Sequence, residues 1–278
     1  MTIRTISLIA FDAAEAPWLI ARTCALAQGF GAHLTVLHAY APVVFFDEFG
    51  SNAAVYATVR QWEEEESDKI RAIYEERVAA CGLLSEFRRH SDLFGAERFL
   101  LSASRGADLV VVGTNGSPHR TPDDRTVTER IIRNLGRPVL VLGPDSAIEG
   151  PAQSALIGWS DTREATRAAH DSLALLRPGA EIQIVSVAAH GPGPKMAADG
   201  RSDFAAALHR LGYVVTLSDR DSSGAASRSE ELVLAAQESG ADLLVAGAFG
   251  HSQIYDYVVG AVTRDLLAAS PLPVLLSK

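Results

Sequence analysis

The sequence predicts an α/β protein built from two repeated, doubly wound domains, each with a mostly parallel five-stranded sheet. Three observations carry this. The chain has 278 residues, more than the roughly 100–200 of one ordinary domain. GADLVVVGTNG from Gly106 recurs as GADLLVAGAFG from Gly240, 134 positions later, and RPVLVLG from Arg137 is echoed by LPVLLSK from Leu272, 135 positions later. Short, continuously apolar runs alternate with helical patterns, as expected of strands covered on both faces of a parallel sheet.

Each element of the first copy follows in order. ISLIAF is the first strand, and the apolar spacing through Trp18 and Leu26 gives a helix before the second strand, LTVLHA. Ile70, Ile73, Tyr74, Val78 and Cys81 share one face of a long helix. A weak strand near Ser85 to Arg89, a helix around Phe94 to Ser104, the strand DLVVVG, a helix around Val127 to Asn134 and the strand PVLVLG complete the copy. Right-handed crossovers then wind the sheet in both directions. GAHLTVLHA from Gly31 matches GAEIQIVSV from Gly179 at an offset of 148, so the fall to 134 places 14 extra residues in the first copy, between Tyr40 and Cys81. The stretch GPDSAIEGPAQ, Gly143 to Gln153, carries the Pro, Gly and small polar residues of a linker. The domains are therefore expected at residues 1–145 and 153–278.

A net charge of −9 and a pI near 5.4 leave no broad basic face for nucleic-acid phosphates. Glu63 to Glu66 is a solvated helix start suited to the positive end of the dipole. No apolar run approaches the roughly 18 residues of a membrane span, and MTIRTISLIAFD lacks a cleavage region. The expectation is a cytoplasmic protein with neither nucleic-acid nor membrane partners. Cys24 and Cys81 lie in helices without paired spacing, so they read as small buried hydrophobes rather than a disulfide or a zinc site.

Open parallel sheets bind ligands at the carboxyl ends of their strands, where Asp12, His38, Gly113, Ser160, Val187 and Gly247 gather. Gly247, Gly250 and Gly260 are separated by two and nine residues, after a buried strand and before a helix. Two readings fit: turn positions that need φ > 0, or a loop whose bare backbone N–H groups approach an anion. No G-x-S-x-G elbow is present. The adjacent pair His251-Ser252 does not face itself, the histidines lack metal-ligand spacing, and Asp123-Asp124 reads as a solvated turn. No catalytic or metal-ligating set is expected.

With these residues in view, the chain resembles the universal stress protein family in its tandem form, over essentially its whole length. The strongest part is GADLLVAGAFGHSQIYDYVVGAVTRDLLAASPLPVLLS, similar to that family's phosphate loop, G-x2-G-x9-G followed by Ser or Thr. The resemblance implies ATP or AMP, with Mg accompanying the nucleotide, bound in the second domain by Gly247, Phe249, Gly250, Gly260, Ala261, Val262, Val187 and Ser160. Two positions depart from the pattern. Ala261 stands where a Ser or Thr holds a phosphate, with Thr263 offering a hydroxyl slightly later, and Ser160 stands where the family has Asp. The adjacent Asp161 would point the other way along a strand. Trp159 either covers an adenine or fills the pocket.

In the first copy Asp12, Gly113 and Gly116 match the family pattern, but Arg125 occupies the third glycine position and Thr126 the hydroxyl position, while Pro118 and Pro122 stiffen the loop. The resemblance further implies that the two final strands meet, giving an intramolecular pseudo-dimer, with a homodimer of chains also open. Val43, Val44, Phe45, Phe46 and Phe49, in the extra segment, are expected to cap the first pocket or touch the second domain. At most weak ATP hydrolysis is expected. The alternative is an interaction module of the same fold, its pockets filled, acting through protein or small apolar ligand contacts.

Overall fold

A computed structural model describes residues 2–39, 53–90, 95–146, 148–188, 195–221, 226–250 and 261–278. The first half runs β1 (Thr5–Ile9), α1 (Ala16–Phe30), β2 (His33–Ala39), α2 (Ala53–Cys81), β3 (Ser85–His90), α3 (Ala96–Ser104), β4 (Leu109–Gly113), α4 (Pro122–Asn134) and β5 (Val139–Leu142). The second runs β6 (Ala152–Gly158), α5 (Arg163–Ser172), β7 (Leu176–Ala188), α6 (Lys195–Arg210), β8 (Val214–Asp221), α7 (Arg228–Ser239), β9 (Leu243–Gly247), α8 (Ala261–Ala268) and β10 (Val274–Ser277). The extra length of the first copy appears in α2, with 29 residues against 16 for α6. The apolar set Val43 to Phe49 lies outside the described residues.

Sheet order is β3-β2-β1-β4-β5-β10-β9-β6-β7-β8, ten strands in one continuous sheet. Neighbours are parallel within each half, and the halves join where β10 runs antiparallel to β5, with Leu275 opposite Leu140. The two final strands meet as the resemblance implies, and their pairing fuses the two five-stranded sheets edge to edge, which removes both apolar inner edges from solvent. β4, β5 and β10 are buried along their whole length, as strands covered on both faces must be.

The repeated GAD motif has a local cause. The Asp108 carboxylate accepts hydrogen bonds from the Arg4 and Thr5 N–H groups at 2.9 and 3.1 Å, and Asp242 accepts from Gln153 and Ser154 at 2.8 and 3.1 Å. Each aspartate ties the start of the fourth strand of its unit to the start of the first. Helix α4 begins five residues before the predicted Val127. Thr121 accepts from the Asp124 N–H while Asp124 accepts from the Thr121 N–H, a capping box with Pro122 in the first turn. Asp123 and Asp124 are thus the acidic first turn of a helix rather than a solvated turn.

The linker crosses α1 closely. A Cβ on Gly29 would lie 2.0 Å from the Glu149 carbonyl, so only glycine permits this approach. Among the described residues no helix is long and apolar enough to cross a membrane.

Candidate functional site

Strand order reverses between β1 and β4 and again between β6 and β9, which opens one crevice at the strand ends of each unit. The two crevices differ. In the second unit a cavity of about 390 Å³ is lined by residues from β6, β7, β9 and the N-terminal turns of α7 and α8, within the size range of small-molecule pockets, roughly 300–1,000 Å³. Ser160, Val187, Gly247, Phe249, Gly250, Ala261 and Val262 all border it. Gly260, His251 and Ser252 lie outside the described residues.

The glycines here do not serve backbone handedness. Neither Gly247 nor Gly250 has φ in the left-handed region. Gly247 is needed because a Cβ would lie 2.5 Å from the Ala165 amide nitrogen, against the backbone of the first turn of α5. A Cβ on Gly250 would meet side chains rather than backbone, Glu164 Oε2 at 3.1 Å, Thr162 Oγ1 at 3.4 Å and Glu164 Cβ at 3.6 Å. The left-handed residue is Phe249 itself, with φ of 64°. Its N–H donates to Thr263 Oγ1 at 3.2 Å, so the hydroxyl considered for a phosphate is used to hold the loop.

Ser160 and Thr162 hydroxyls lie 3.1 Å apart, and Thr162 caps α5 by accepting from the Ala165 N–H. Asp161 is exposed and does not border the cavity, as expected of a side chain one residue out of register. Trp159 is buried, stacks on Phe204 at 5.1 Å and also lines the cavity. Opposite, the Ser229 hydroxyl donates to Asp265 Oδ2 at 2.6 Å. Among the described lining residues Arg228 is the one cation and Asp265 the one anion. The sequence reading missed Arg228 and Ser229, at the start of α7, and Asp265, in α8 just past the glycine loop, because none of them belongs to the glycine pattern.

In the corresponding crevice of the first unit a buried ion pair lies against Gly113, and a cavity of about 360 Å³ opens beside it, between Gly116, Pro144 and Ala268. Arg120 and Glu15 are both buried, with Nε to Oε2 and Nη2 to Oε1 each at 3.1 Å. Arg120 Nη1 also donates to Asn115 Oδ1 and Thr128 Oγ1 at 3.1 Å, and its guanidinium lies 4.6 Å from the centre of the Phe11 ring. Glu15 accepts from the Phe11 N–H at 2.9 Å. Burial pushes the Glu15 carboxyl above the usual carboxylate range, against the opposing pull of Arg120.

A Cβ on Gly113 would lie 2.7 Å from Glu15 Oε2. Gly116 is pressed onto the other unit, where a Cβ would stand 2.1 Å from the Ala268 carbonyl oxygen. Asp12 turns back on its own helix start, Oδ1 accepting from the Ala14 and Glu15 N–H groups at 2.8 Å each. Arg125, which the sequence places at the third glycine position, is exposed in the first turn of α4. The arginine that enters the crevice is Arg120, five residues earlier.

His38 is buried, its Nδ1–H 2.8 Å from the Ala10 carbonyl, and burial lowers its pKa. Both cysteines are free. They are neighbours across α1 and α2, since the Gln28 amide one turn beyond Cys24 donates to the Cys81 carbonyl at 2.7 Å. Among the described residues no group of three or more His, Cys, Asp or Glu is placed to hold a metal ion.

Two doubly wound units sharing one sheet, each with a crevice at the reversal of strand order, define a tandem Rossmann-like protein. The sequence model described as the Universal stress protein family matches residues 8–143 and again 153–278, and the chain belongs to that family. Among solved structures it is similar to a universal stress protein from Archaeoglobus fulgidus, with 15% identity, 100% of this chain and 97% of that chain covered, and a TM-score of 0.68. A second is an assigned universal stress protein from Pseudomonas aeruginosa, with 15% identity, coverage of 99% and 93%, and a TM-score of 0.53. At these identities the likeness concerns the fold. No curated protein matches the chain.

Proposed function

We propose that this tandem universal stress protein binds an adenine nucleotide, ATP or AMP, in the second unit alone. The observation that supports this most directly is what occupies the end of the fourth strand in each unit: in the second a cavity of about 390 Å³ is bordered by Gly247, Phe249 and Gly250, whereas in the first the Glu15–Arg120 pair lies against Gly113, and a cavity of about 360 Å³ opens instead between Gly116, Pro144 and Ala268. Trp159, Val185, Val187 and Leu232 give the cavity an apolar side suited to a base. The first turn of α8 gives it backbone N–H groups and a positive helix end suited to phosphate, with Arg228 as a cation, while the Ala248 and Phe249 N–H groups of the loop are engaged by Ser277 and Thr263. Mg would arrive with the nucleotide.

Mass spectrometry of material released on denaturing the purified protein should show an adenine nucleotide. With ATP added, stability should rise by about 2.7 kcal/mol at a hundredfold excess over Kd. Gly250→Val should remove the rise while leaving the apo fold intact, since its nearest obstacles are flexible side-chain ends. Ala261→Ser, adding a hydroxyl at the cavity edge, should enlarge the rise by about 0.5–1.5 kcal/mol. Absence of any shift with ATP or AMP would leave the interaction-module reading in its place.

A further inference from the structure

Arg133 is the next-to-last residue of α4, in the first unit, yet its guanidinium carbon lies 3.8 Å from the centre of the Phe249 ring in the second. Cation–π contacts extend to about 6 Å, so this one is at van der Waals range. Phe249 is buried, borders the cavity and, among the described residues, is the only non-glycine with φ in the left-handed region. An L residue holds that conformation only where its surroundings impose it. Two restraints are visible, the Thr263 hydroxyl on its N–H and the Arg133 guanidinium on its ring.

The pseudo-equivalent loop is also held from across the junction, but by backbone. Asn115, the counterpart of Phe249 in the repeat, donates its N–H to the Leu267 carbonyl at 2.6 Å, and Gly116 rests on Ala268. Asn115 additionally accepts from Arg120 in its own crevice. Each loop after a fourth strand is therefore held by the last helix of the opposite unit. Phe249 itself lines the second unit's cavity, whereas its counterpart Asn115 does not line the cavity beside Gly116 in the first.

We infer that Arg133 is a positioning residue for the second unit's cavity, fixing the Phe249 wall from the opposite domain, so that the site is completed by the first unit. This rests on the reading that the cavity takes an adenine nucleotide.

The test uses the full chain. ATP affinity of Arg133→Ala should fall by up to about tenfold, with the apo protein still folding cooperatively, and Arg133→Lys, which keeps a cation without the planar stack, should fall in between. In a Phe249→Ala background the Arg133→Ala change should cost nothing further, because the ring it acts through is gone. Hydrogen exchange gives a readout independent of ligand: the Phe249 amide should lose protection in Arg133→Ala while the strand amides of β9 keep theirs. Wild-type affinity in Arg133→Ala, or an equal loss with and without Phe249, would overturn the inference. If the wild-type chain binds no nucleotide, the nucleotide reading falls, and unchanged protection at the Phe249 amide then overturns the positioning role as well.

Discussion

At the scale of single residues, the Glu15–Arg120 pair has the largest consequence, because both side chains are almost wholly removed from water. Each charge is tolerable only through the other. Arg120→Met should strand the Glu15 carboxylate and destabilise the protein by about 3–5 kcal/mol. Pairing it with Glu15→Leu should recover much of that loss, since an apolar pair of similar volume leaves no buried charge. Urea denaturation of the two variants measures both, and an equal loss in each would show that packing rather than charge dominates. His38 gives a pH dependence. Burial lowers its folded pKa below the ordinary value of 6.5, so its contribution to stability is present above 6.5 and is lost as pH falls from there through the lower folded pKa. The urea midpoint should drop across that window, and His38→Gln should flatten the drop. Cys24 is pushed up to about 12 by burial and the neighbouring Cys81 thiol. In the native protein it should stay inert to thiol reagents at neutral pH, becoming reactive on unfolding.

At the scale of elements, close approaches decide which glycines matter. Gly116→Val would drive a branched side chain into the Ala268 carbonyl, separating the loop after β4 from the end of α8. A loss of about 1–3 kcal/mol is expected for such overpacking, whereas the same change at Gly106, where a Cβ meets nothing within 4 Å, should cost far less. Thermal unfolding of the two variants compares them directly.

This is also where the sequence was most and least readable. The strands and the repeat were legible because continuous apolar runs such as LVVVG and LLVAG are buried on both faces in both copies. The start of α4 was not, because its first turn is polar and is set by the Thr121–Asp124 cap rather than by apolar spacing. The glycine spacing led to residues that share one place, since Gly247, Gly250, Ala261 and Val262 border one cavity. The turn reading of these glycines does not hold at Gly247 and Gly250: the positive φ belongs to Phe249, and both glycines answer to the packing of the start of α5. Arg120 and Arg133 were invisible as site residues, because nothing in a linear pattern says that one arginine turns inward onto Glu15 while another reaches across to Phe249.

At the scale of the whole molecule, the junction of β5 and β10 determines whether the two units behave as one body. The antiparallel ladder pairs Val139, Leu140 and Val141 with Leu276, Leu275 and Val274, all fully buried, and on either side the loops and last helices of opposite units interlock through Leu267, Ala268 and Phe249. A sheet continuous through such a junction should unfold in one cooperative step, because separating the units exposes two apolar edges at once. Deleting Pro273 to Lys278 removes β10 and uncovers β5 and β9 together. The truncated chain should lose solubility and associate through the uncovered edges, and its remaining structure should melt in more than one transition. Calorimetry and sedimentation of the full and truncated chains test this. A truncated chain that stays monomeric and melts once at the temperature of the full chain would show that the interlocked loops and helices, without the ladder, suffice to hold the units together.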